Sequence, residues 1–209
     1  FHDSGKILKE LHYDSIYHEH LCFFSIKSLT YLLNRFQLHP FHIEKSPISG
    51  GSWVIYFSKI KKSKTNDLEN SIFGEMNDGV NSLSSWQDFA ERAIDHRKNT
   101  LEILNSLKGK RIIGFGSSAR SQTYLNFCEI DNKQIIANID NNTLKQGLYA
   151  PGSSIPIVSF EQGMSLSPDV IFILAWNFKD EIVNQCKSYG YKGQFLIPFP
   201  NKPHLFNDL

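Results

Sequence analysis

Tyr17-His18-Glu19-His20 sets four titratable side chains in a row. An imidazole titrates near neutral pH, so either histidine can take up or release a proton without a shifted pKa. A neighbouring carboxylate can orient the ring and stabilise its cation, and a phenol can donate to a developing oxyanion. Two histidines this close could also share a metal. Helical metal pairs are spaced about four apart, however, and no third ligand is apparent, so no metal is expected. The flanking Ile16, Leu21, Phe23 and Phe24 are apolar. A polar cluster buried among them is costly unless it is paired or useful. A plain surface patch of His and Glu is the alternative. His2, His12, His39, His42, His96 and His204 are scattered and receive no role.

A second pattern is Gly114-Phe115-Gly116-Ser117-Ser118-Ala119. Glycines there permit a tight turn and close approach of a ligand to the backbone. A helix opening just after the turn would aim its first amides and its dipole at an anion. Ser117 and Ser118 add hydroxyls, while Ala119 in the third glycine's place and Arg120 in the first helical turn blunt a dinucleotide reading. Asp140 ends the next apolar run, where an acidic residue commonly holds ribose hydroxyls. Gly116, Ser117, Ser118 and Asp140 are therefore candidate contacts of a phosphate-bearing ligand, a mononucleotide or a sugar-nucleotide diphosphate. A ligand-free tight turn is the alternative.

These residues need elements to hold them. Ser25–Phe36 has helical spacing with Ser25 as N-cap. Phe41–Ile48 and Trp53–Ile60 read as strands of a hairpin turned by Ser49-Gly50-Gly51-Ser52. The polar stretch Ser63–Val80 reads as a loop. Trp86–Leu107 reads as one long helix ended by Gly109. Beyond it, strands at Arg111–Phe115, Gln134–Ile139, Pro156–Ser159, Val170–Ala175 and Phe195–Pro198 alternate with helices at Ala119–Cys128 and Asp180–Tyr189. That alternation predicts an α/β fold: a Rossmann-like parallel sheet domain preceded by a helix–hairpin–long helix segment. Residues 1–108 form the expected catalytic segment and 109–209 the expected sheet domain. The latter is expected to span only about half of a full dinucleotide-binding fold.

Composition sets the bounds. Of the 209 residues, 41% are hydrophobic and 21% charged, as in a folded chain rather than a disordered one. The net charge of +1 gives no footprint for nucleic acid or an acidic membrane. Cys22, Cys128 and Cys186 are odd in number and widely spaced, which fits neither a disulfide framework nor a zinc site. A cytoplasmic location is expected. No apolar run nears the roughly 18 residues of a membrane helix, and none reads as a signal peptide. The chain opens at Phe1 rather than Met, so it is expected to be part of a longer protein.

The segment from Tyr13 to Ser25 resembles the hallmark of sugar C-methyltransferases, enzymes that use S-adenosylmethionine to methylate a ring carbon of a nucleotide-linked keto-deoxysugar. The resemblance continues at Gly50-Gly51-Ser52, at Gly114–Arg120, at Thr123–Cys128 and at Lys145–Gly152. It ends with Ile155-Pro156-Ile157, Ala175-Trp176-Asn177-Phe178 and Pro198-Phe199-Pro200. Such enzymes carry a zinc module and a donor-binding domain ahead of this region, so the chain resembles their C-terminal part. The resemblance implies donor binding by another domain, in cis or in trans. It also departs from the family: relatives often have His before the Gly-Gly pair and Arg a few residues after it, where this chain has Ser49 and Val54.

As the resemblance implies, His20 is the base, Glu19 orients or charges it, and Tyr17 places the ketone or steadies the enolate oxygen. Gly116, Ser117, Ser118, Arg120, Asp140, Trp176 and Asn177 would hold the acceptor's nucleotide, with thymidine diphosphate one candidate handle. Two other readings stand beside this one: a non-catalytic module that binds nucleotide sugars, and a nicotinamide-dependent oxidoreductase suggested by the glycine turn alone.

Overall fold

The computed structural model describes residues 1–207; the side chain of Ser49 and residues Asp208 and Leu209 lie outside the described set. The chain forms two compact units, Phe1–His12 with Glu19–Arg92, and Tyr13–His18 with Ala93–Leu209.

In the first unit, α1 (Ser4–Glu10) is capped by Asp3, which accepts from the Lys6 amide. Helix α2 (Ile26–Arg35) starts in a capping box between Ser25 and Ser28. Strands β1 (His39–Ser46) and β2 (Ser52–Ser58) pair antiparallel, one or two residues earlier than expected, around the 3-10 turn Ile48–Gly50. Ser63–Val80 is not a loop. It contains helix α3 (Asn66–Asn77), with Thr65 as its N-cap. The polar composition hid its inward stripe: Leu68 is fully buried with Ile26 and Ile43, and Ile72 packs against them. Glu75, one turn on, is buried and accepts the Ile26 and Lys27 amides, so an α3 carboxylate satisfies the start of α2.

The long helix α4 (Leu83–Ser106) is present, and the division between units falls inside it. In the second unit, strands β3 (Ile112–Phe115), β4 (Ala137–Ile139), β5 (Ile157–Val158), β6 (Val170–Ile173), β7 (Gln194–Ile197) and β8 (His204–Phe206) form one sheet in the order β5-β4-β3-β6-β7-β8. All neighbours are parallel except β7 and β8. The connecting helices are α5 (Ala119–Cys128), α6 (Phe160–Ser165) and α7 (Lys179–Ser188). Every residue of β3 and β6 is buried, as a central pair covered on both faces requires.

The expectation of half a dinucleotide fold is wrong. Counted from β3, the strand order is that of the complete dinucleotide-binding fold, with the last strand reversed. The strands are two to four residues long, and β8 follows a proline-rich stretch, so sequence periodicity registered some weakly and β8 not at all.

His96, scattered in sequence, is buried in this unit. Its Nε2 lies 2.7 Å from the Pro198 carbonyl, which can only accept, so Nε2 carries the hydrogen. Nδ1 then accepts from the Tyr13 hydroxyl at 2.9 Å. Burial holds the imidazole pKa below its ordinary 6.5.

Two outcomes test these packing arguments. Leu68→Ala should cost about 2–5 kcal/mol in urea unfolding, as for a buried leucine; a loss of a few tenths would mean α3 does not pack. In the folded protein His96 refuses the proton that the unfolded chain accepts. It therefore costs no stability above pH 6.5, and stability falls as pH drops below that value. His96→Gln should flatten the fall in urea midpoint on the acid side, and an unchanged slope would contradict the assignment.

Candidate functional site

The order of the sheet reverses between β3 and β6, and in open α/β sheets the crevice beyond such strand ends takes ligands. Six residues expected to contact the ligand follow β3, β4 or β6 directly, and Arg120 sits in the first turn of α5.

The glycine turn is built from both sides. Gly116 has φ +101°, and a Cβ there would collide with the Cβ of Ala175. Gly114, inside β3, faces Asn138 and Leu174 with no room for a side chain. Packing of neighbouring strand ends therefore explains both glycines, where sequence reasoning had invoked a ligand's approach. The Gly116 amide donates to Ile139 at 2.7 Å, and Asn138 Nδ2 donates to the Gly116 carbonyl at 3.1 Å. Ser118 is the N-cap of α5, accepting from the Ser121 amide. Ser117 accepts a hydrogen bond from Gln122 on its hydroxyl.

Asp140 is turned into this loop. Its Oδ2 accepts from the Ser117 amide at 2.8 Å and from Lys145 Nζ at 3.3 Å, and its Oδ1 accepts from the Asn142 amide at 2.8 Å. Lys145 also donates to the Ser117 carbonyl at 2.9 Å. A carboxylate and an ammonium thus already stand at the mouth of the turn.

Arg120 is committed elsewhere. Its Nε and Nη2 donate to the two oxygens of Asp14 at 2.9 and 2.8 Å, the bidentate geometry that suits guanidinium and carboxylate. Trp176 Nε1 donates to the same carboxylate at 2.9 Å. The guanidinium stacks 4.9 Å from the centroid of the Trp176 ring. Asp14 is 1% exposed. Asn177 is exposed beside Trp176. Sequence reasoning passed over Asp14, Lys145 and His96. Asp14 stands three residues before Tyr17 in the hallmark segment, and that position was its only signal.

The hallmark itself divides between the units: Tyr17 and His18 belong to the second, Glu19 and His20 to the first. In the second unit, Tyr17 is half-buried and its amide donates to the Ser15 carbonyl, so the 3-10 turn Tyr13–Ser15 that carries Asp14 sets where Tyr17 begins. In the first, Glu19 is exposed and His20 half-buried, with the His20 ring edge-on to His2 at 4.3 Å between centroids. Val54, where relatives often carry Arg, is an exposed residue of β2. Among the described residues no three of His, Cys, Asp and Glu converge as metal ligands, and no helix is long and apolar enough to cross a membrane.

Comparison with known proteins assigns the chain to a family. The C-methyltransferase NovU of Streptomyces niveus is 29% identical over 200 residues, which cover 93% of this chain and 48% of that protein. The chain thus spans about half the length of this relative. Residues 47–200 match the family described as the C-methyltransferase C-terminal domain, and they include β2, α3, α4 and the sheet through β7. The chain belongs to the family of C-methyltransferase C-terminal domains.

Proposed function

We propose that the chain is the acceptor-binding and catalytic-base part of a C-methyltransferase acting on a nucleotide-linked keto-deoxysugar. The observation that carries this reading is the convergence of the glycine turn, Asp140, Trp176 and Asn177 at the strand ends of the sheet in a chain of this family. The nucleotide would lie in that crevice, with Ser117, Ser118 and Arg120 among the residues around it. A cytoplasmic protein fits the reading, with nucleotide sugars rather than nucleic acid or membrane as its partners.

The residue types suit carbon methylation. A carbon next to a ketone is a weak acid, and removing its proton needs a positioned base and stabilisation of the enolate oxygen. His20 takes the proton, Glu19 orients its imidazole, and the Tyr17 hydroxyl donates to the oxygen as charge builds there. S-adenosylmethionine supplies an electrophilic methyl group on a sulfonium. With that donor bound, the enolate carbon would be the nucleophile for its methyl group, and the sulfonium sulfur would keep the electron pair of the broken S–CH3 bond. Donor binding is assigned to a separate domain, in cis or in trans.

The strand order also suits nicotinamide dinucleotides, but fold alone does not fix chemistry, and membership of a C-methyltransferase family argues against that reading.

With a donor-binding domain supplied, His20→Ala should lower methyl transfer by roughly 10²–10⁴-fold while calorimetric affinity for the nucleotide sugar stays near that of the unaltered protein. Near-normal turnover in that variant would remove His20 as the base. Tight binding with no transfer by the unaltered protein would leave a non-catalytic nucleotide-sugar module.

A further inference from the structure

The charged groups around the strand-end crevice form two pairs with opposite characters. Arg120 and Asp14 are the closed pair, with side chains 13% and 2% exposed. Both carboxylate oxygens are taken by the guanidinium, and the Trp176 indole binds one of them as well. Moving Arg120 onto a ligand would strand a buried carboxylate, which is strongly unfavourable. Its charge is also cancelled where it stands. Arg120 is therefore poorly suited to receive a phosphate.

Lys145 and Asp140 are the open pair. Lys145 is 37% exposed, and its ammonium rests 2.9 Å from the Ser117 carbonyl and 3.3 Å from Asp140. An ammonium has three hydrogens on a flexible stem, so it can turn toward an anion while keeping a protein partner. Asp140 does not depend on it, because the Ser117 and Asn142 amides also donate to that carboxylate. The loop that carries Lys145 is itself anchored. Gln146 donates to the Asp140 carbonyl, and the Gly147 amide donates to Ile157 on β5.

We propose that Lys145, rather than Arg120, grips the diphosphate of the nucleotide-linked acceptor, and that Asp140 holds the lysine at the glycine turn until the ligand arrives. This rests on the reading of the crevice as the nucleotide seat. Lysine binds phosphate as a point charge and needs no fixed fork, which suits a residue that exchanges one anionic partner for another.

Isothermal titration of the full chain with thymidine 5′-diphosphate, and with thymidine as the phosphate-free control, tests it at low and high salt. Lys145→Ala and Lys145→Gln should each weaken diphosphate binding about tenfold or more and leave thymidine binding unchanged, while Lys145→Arg keeps most of the affinity. The salt sensitivity of diphosphate binding should fall in the two neutral variants. Unchanged diphosphate affinity in those variants, with the unaltered chain still preferring diphosphate to thymidine, overturns the role of Lys145 and leaves the nucleotide seat standing. An unaltered chain that does not distinguish the two ligands overturns both.

Discussion

A carboxylate taken out of water must find donors, and Asp14 finds them in Nε and Nη2 of Arg120 and the indole of Trp176. Much of the second unit's site follows from that requirement. Arg120 comes from the first turn of α5, just past the glycine turn, and Trp176 from the 3-10 turn Trp176–Phe178 after β6. Asp14 therefore joins the two walls of the crevice where the sheet order reverses. The next residue back reinforces it. The Tyr13 hydroxyl bonds to a neutral, buried His96, which in turn donates to the carbonyl of Pro198 just past β7. One 3-10 turn, Tyr13–Ser15, is thus held by an ionic network on one residue and a neutral one on its neighbour. Tyr17 leaves that turn at a fixed point.

Around this anchor the sheet supplies shape more than chemistry. The strand order is shared with dinucleotide-binding folds, and the glycines of the turn answer to the packing of Asn138, Leu174 and Ala175. A glycine pattern after a strand is consequently weak as a marker of a ligand and strong as a marker of two strand ends pressed together. What distinguishes this crevice is its side chains: a largely covered arginine already matched by a carboxylate, and a partly exposed lysine resting on Asp140 and the Ser117 carbonyl.

The sequence was most legible where information is local. The Ser25 cap, the long helix, the glycine turn opening α5 and the apolar run of β6 all lie within a few residues of their own signals. Helix α3 is hard to read from sequence because Asn, Asp and Glu crowd its exposed faces, while its inward stripe rests on Leu68, Ile72 and a buried Glu75. The partners of Asp14 lie 106 and 162 residues away, and no spacing rule reaches that far. His96 looked idle for the same reason, since its partners Tyr13 and Pro198 are 83 and 102 residues distant. The position of Arg120 in the first turn of α5 is legible from its place just after the glycine turn. Only its neutralisation by Asp14 depended on the fold.

The central claim is that the strand-end crevice of the second unit seats the nucleotide of the acceptor. Amide-resolved NMR titration of the chain with a thymidine-diphosphate-linked keto sugar addresses it most directly. The account predicts shifts concentrated at Gly116–Ser118, Asp140, Lys145 and the Trp176 indole. Shifts confined to other surfaces, or none at saturating ligand, would contradict it.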